Sequence, residues 1–151
     1  MPDANSNKST MDDLTVAHQQ FFLGEAYYYG KTSARDYARA YNWYRKAAEK
    51  GHADAQYALG VMYEHGRGID QNLEKAFYWY QLAAGKMQEK ALNNAGCMLF
   101  CGQGCRVDAS QAAACFLASA KKGFAPAQFN LSVLFLLGRG IQKDTEKAFA
   151  W

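Results

Sequence analysis

Four cysteines, Cys97, Cys101, Cys105 and Cys115, crowd into nineteen residues. They are the side chains best suited to hold a metal or exchange electrons. Cys97 and Cys101 are four apart, which on a helix places both thiols on one face. Structural zinc asks for a close Cys pair and a matching second pair. A C-x3-C-x3-C run with one distant Cys does not supply that, so the sequence calls for no metal and no other cofactor. Free thiols are expected, with a thiol redox or metal-sensing module as the alternative function of this stretch. The histidines, His18, His52 and His65, are scattered, and no Ser or Cys nucleophile stands with a His and a carboxylate at recurring positions. Gly66-x-Gly68 and Gly102-x-Gly104 could pass for phosphate loops, but a dinucleotide loop needs a preceding strand and none is predicted. The chain reads as non-catalytic, with no catalytic and no metal-binding residues.

Charge and hydropathy narrow the partners. A net charge of +3, mixed along 151 residues, lacks the dense basic stripe of a nucleic-acid binder. No apolar run approaches the length of a membrane span. The opening MPDANSNKSTMDD is polar and carries no secretory signal, which predicts a cytoplasmic chain; a periplasmic or secreted parent is the alternative. Only Pro2 and Pro126 interrupt helix formation.

The elements that position these residues repeat every thirty-six residues. Leu59-Gly60 returns as Leu23-Gly24, Ala95-Gly96 and Leu131-Ser132. Gly66 returns as Gly30, Gly102 and Gly138, and Ala76 as Ala40, Ala112 and Ala148. Self-similarity at such a period marks a stacked repeat architecture. Ala55, Leu59, Met62 and Tyr63 follow the spacing of a buried face on a first helix, and Ala76, Tyr80, Ala83 and Ala84 do so on a second. Asp36, Asn72, Asp108 and Asp144 are expected to cap the second helices. Gly66 and its equivalents end the first, and Gly51 and Gly123 stop the second. Cys105 replaces Ile69 and Ile141, and Cys115 replaces Trp79, so both are expected to act as small core hydrophobes. The fold class is all-α: a solenoid of about four helix-turn-helix repeats. The expected organisation is a flexible lead-in over residues 1–12, then a solenoid over 13–151. Its repeats fall at about 17–52, 53–88, 89–124 and 125–151, the last incomplete. An incomplete final repeat predicts a fragment of a longer array, with self-association through the exposed C-terminal edge.

The pattern A-x3-LG-x2-Y-x2-G-x-G, an Asx cap, A-x2-WY-x2-AA and GHA resembles the Sel-like repeat family, which is related to tetratricopeptide arrays. Residues 53–84 are a close match, and the resemblance covers about residues 17–151. It implies right-handed stacking of hairpins with a concave face, a role as scaffold or adaptor for a protein or peptide partner, and no catalysis. Departures are Thr32 for a loop glycine, Lys86-Met87-Gln88 for Lys-Gly-His, Cys115 for Trp, and Ser132 for Gly. By analogy with tetratricopeptide arrays, the exposed faces of the first helices line the groove. They give Phe22, Glu25, Tyr28 and Tyr29 in repeat one and Tyr57, Val61 and His65 in repeat two. Lys90 and Asn94 follow in repeat three and Asn130 in repeat four, with Asn94 and Asn130 as a pair one period apart. Aromatics would anchor a bound peptide and amides would pair with its backbone. A tight enzyme inhibitor of the immunity type is a further alternative.

Overall fold

The computed structural model describes residues 4–31 and 34–151, with side chains from residue 12 onward; Thr32 and Pro2 lie outside the described residues. Among the described residues eight helices account for the regular structure. They fall into two compact units, residues 1–71 and 72–151. The first holds α1 (Ala4–Tyr29), α2 (Tyr37–Glu49) and α3 (Ala53–His65). The second holds α4 (Leu73–Gly85), α5 (Glu89–Cys101), α6 (Ala109–Ala120), α7 (Ala125–Leu137) and α8 (Thr145–Ala150).

Helix α1 begins at Ala4, inside the segment expected to be a flexible lead-in. Nothing between Ala4 and Leu23 breaks a helix: that stretch contains no Pro or Gly. Asp13 also ties it down, reaching Lys50 at 3.3 Å.

Each second helix starts as the sequence predicts. Asp36, Asn72, Asp108 and Asp144 accept the backbone N–H three residues on, each at 2.9 Å. Each satisfies a donor that the first turn leaves unpaired. Two of the first helices, α3 and α5, use a different cap: His52 Nδ1 accepts from Ala55 N at 3.2 Å, and Gln88 Oε1 accepts from Ala91 N at 2.6 Å, whereas α7 starts after Phe124 with no side-chain cap. Helices α3, α5 and α7 end on left-handed Gly66, Gly102 and Gly138. Gly51 and Gly123 also have positive φ, and in repeat two that conformation falls on Met87 (φ 60°). A side chain there costs about 1–2 kcal/mol, so the departure at Met87 is a strained turn.

The core is made of alanines and a few large side chains. In the first unit Ala40, Tyr44, Ala47, Ala55, Leu59 and Met62 are buried. In the second, Tyr80, Phe116, Leu131 and Leu134 fill the space between helices that Ala83, Ala91, Ala112 and Ala127 allow to approach closely. Tyr63 is only half-buried, and its hydroxyl meets that of Tyr41 at 2.9 Å. Burial and that bond push the Tyr63 phenol up to about 12.

The glycines of the loops and of the Leu-Gly pair have a packing role beyond ending helices. A Cβ on Gly104 or Gly140 would lie far inside van der Waals contact of the carbonyl of Leu73 or Ala109, and one on Gly68 would come 2.6 Å from the Tyr37 carbonyl carbon. Each of these loops therefore seats its glycine on the first turn of the preceding repeat's second helix. Gly96 gives room to the Phe116 ring, where a Cβ would stand 2.7 Å away.

Candidate partner-binding site

In the first unit the predicted groove residues divide by burial. Phe22 (63% exposed) and Tyr29 (55%) present their rings to solvent, and His65 is also exposed. Val61 and Tyr57 are half-buried. Glu25 is half-buried too; its carboxylate accepts from Lys31 Nζ and from the Tyr44 hydroxyl, both at 3.4 Å. Burial first, then the Glu25 charge, pushes the phenols of Tyr44 and Tyr29 up.

Tyr28 is a correction. It is 9% exposed, and the Arg67 guanidinium donates to its hydroxyl. Its ring also packs edge-on against Tyr37 at 5.1 Å. Spacing alone puts Tyr28 and Tyr29 together on the groove, but adjacent helical residues point about 100° apart. The side that α2 covers takes Tyr28, which serves as structure.

In the second unit the amides behave differently from expectation. Asn130 on α7 pairs with Asn93 on α5, donating Nδ2 to Asn93 Oδ1 at 3.0 Å. Asn93, buried at 7% exposure, in turn donates to Asn94 Oδ1 at 3.4 Å. Asn94 and Asn130 are thus joined through Asn93 as an intermediate. The helix-centre amides have a structural reason to exist, because they tie α5 to α7. The chain of donors leaves Asn94 Nδ2 and Asn130 Oδ1, both on half-buried residues, without a partner among the described residues. Lys90, one turn before Asn94, is exposed.

The Cys97 sulfur receives Asn130 Nδ2 at 3.7 Å and Asn93 Nδ2 at 4.0 Å. All four cysteines are free thiols, and Cys101 alone among them is exposed. Cys97, Cys105 and Cys115 pack against the apolar cluster around Phe116 and Leu131. Burial pushes the Cys105 and Cys115 thiols up, which keeps them protonated and unreactive. Cys105 also lines a cleft of about 460 Å³ with Phe77, Leu99, Arg106 and Gln111. A second cleft of about 380 Å³ lies at the positions one period later, including Phe135, Ile141 and Lys147. Among the described residues no three His, Cys, Asp or Glu side chains gather closely enough to hold a metal ion. No described helix is long and apolar enough to cross a membrane.

The family model of the Sel1 repeat matches residues 20–52, 53–86, 89–124 and 125–151. The chain belongs to the Sel1 repeat family. Sel1 repeat proteins are generally protein-interaction scaffolds, and the family is typically non-catalytic. No curated protein matches the chain. Among solved structures it is similar to c5321, a protective antigen present in uropathogenic Escherichia coli strains that displays an SLR fold. The two share 33% identity with a TM-score of 0.86, over 89% of this chain and 29% of that one. A Sel1 repeat protein from Oxalobacter formigenes is 32% identical with a TM-score of 0.82, over 89% of this chain and 54% of that one. Cysteine rich protein B of Helicobacter pylori shares the fold, at 22% identity and a TM-score of 0.62, over 76% of this chain and 92% of that one. This Sel1 repeat chain is thus an all-α solenoid, and it spans about three-tenths and about half of the first two proteins' lengths.

Proposed function

We propose that this Sel1 repeat chain is a non-catalytic scaffold whose first-helix faces hold an extended peptide of a partner protein. The carrying observation is the amide chain from Asn130 through Asn93 to Asn94. It offers one donor and one acceptor at the half-exposed centre of α5 and α7. A peptide unit carries the complementary pair, one N–H and one C=O. Asn93 fixes both flanking amides before any partner arrives, so little side-chain entropy remains to be lost on binding. In the first unit the exposed rings of Phe22 and Tyr29 offer apolar anchors of the kind that dominate binding energy.

The test is selection from a displayed library of random linear peptides, followed by titration of the winning sequences against Asn94→Ala. That substitution leaves the Asn130–Asn93 bond in place, so the fold is retained while one end of the amide chain is removed. A tenfold or greater loss of affinity with unchanged helicity supports the groove. Peptides that bind the variant and the wild type equally would refute it.

A further inference from the structure

We infer that the junction of α1, α2 and α3 is a pH-sensitive latch, with His52 as its titrating helix cap. The backbone N–H of Ala55 can only donate, so His52 Nδ1, 3.2 Å away, must be the acceptor. The imidazole is therefore neutral in this fold, with its proton on Nε2. Protonating Nδ1 destroys the acceptor and turns the bond into a contact between two donors. It also places a positive charge at a helix N-terminus, the end where a cation is unfavourable. His52 is 7% exposed, so water cannot readily substitute for the lost partner.

The neighbours add to the effect. The Phe21 ring of α1 stacks on His52 with centroids 4.7 Å apart, and the His18 ring meets it edge-on at 4.5 Å. His18 Nδ1 donates to the Leu14 carbonyl at 3.2 Å, which holds that ring against the buried His52. The other charged groups of this junction are Lys50 at the end of α2, paired with Asp13 of α1, and Glu49, paired with Arg45. Asp54 lies in the first turn of α3. Asp13 already answers the Lys50 charge. The cap disfavours the charged ring, whereas a ring released from it protonates near the ordinary imidazole value of about 6.5. Acid below that value therefore favours the opened junction and loosens α3 from α1, the two helices that present Phe22, Tyr29, Val61 and His65.

Helix α5 supplies the control. Gln88 stands where His52 does and caps α5 through an amide oxygen that does not titrate. The experiment is hydrogen exchange of the Ala55 amide at pH 7.5 and pH 5.0, corrected for intrinsic rates, in the wild type and in His52→Gln. The Ala91 amide of the same molecules serves as internal reference. The expected result is a loss of Ala55 protection of about tenfold or more in wild-type protein at the lower pH, with Ala91 and the His52→Gln variant unchanged. Equal pH dependence in the variant and the wild type overturns the latch. So does a nitrogen spectrum of the wild type in which His52 Nδ1 carries a proton at pH 7.5. That second measurement needs no mutation and stands even if the variant folds poorly.

Discussion

Adding one methyl group at each of three glycines should give three different results. Gly104 has φ +67°, and a Cβ there would press into the Leu73 carbonyl. A side chain in the left-handed region costs about 1–2 kcal/mol. Forcing the loop off the first turn of α4 adds roughly 1–3 kcal/mol, the usual range for overpacking. The reduced entropy of the unfolded chain returns about 0.4–1 kcal/mol. Gly104→Ala should therefore destabilise by about 3 kcal/mol. Gly123 has φ +84°, yet a methyl group added there would meet nothing within 4 Å. Gly123→Ala should lose only the conformational part, about 1 kcal/mol. Gly85 closes α4 with open space around it and no positive φ, so Gly85→Ala should gain about 0.5 kcal/mol. Urea unfolding followed by far-ultraviolet circular dichroism would rank the three. If Gly104→Ala and Gly123→Ala fell within 0.5 kcal/mol of each other (roughly the scatter of independent sites), the loop glycine would not be seated on α4 and the packing argument would fail.

Three further outcomes follow from the same structure. Asn130→Ala should cost roughly 1–3 kcal/mol in unfolding experiments, because it strands the side-chain carbonyl oxygen of the buried Asn93; Asn94→Ala should cost far less. Ala83→Leu should destabilise by about 1–3 kcal/mol, since Ala83 is fully buried; an unchanged melting temperature would count against its place in the core. Helix N–H bonds, that of Gln111 first for Asp108 and that of Lys147 first for Asp144, hold both carboxyls below the usual carboxylate range. A depressed pKa means that the caps stabilise the fold above the unfolded-state value, about 3.9, and are lost as pH falls through the folded-state value. Hydrogen exchange below about pH 4 should therefore expose the Gln111 and Lys147 amides, while Lys75, capped by the non-titrating Asn72, stays protected.

Much of this molecule follows from local rules that a single sequence carries. The four Asx caps, the left-handed glycines after α3, α5 and α7, and the alanine-rich faces each depend on residues within a turn or two of one another. Repetition at thirty-six residues then checks each signal against its copies. The side of a helix that meets its neighbour is a different matter. One residue turns the helix by about 100°, so Tyr28 and Tyr29, or Asn93 and Asn94, are equally good groove candidates on spacing alone. The partners decide between them, and these lie far along the chain. Arg67 takes the Tyr28 hydroxyl from thirty-nine residues away, and Asn130 takes the Asn93 amide from thirty-seven. The loop glycines hide their second role for the same reason: a positive φ is a local property, whereas the absence of room for a Cβ is set by the previous repeat's helix. Caps and periods belong to the sequence because they are short-range. Burial, the amide chain and the His52 latch belong to the tertiary structure, because each is a contact between helices that only folding brings together.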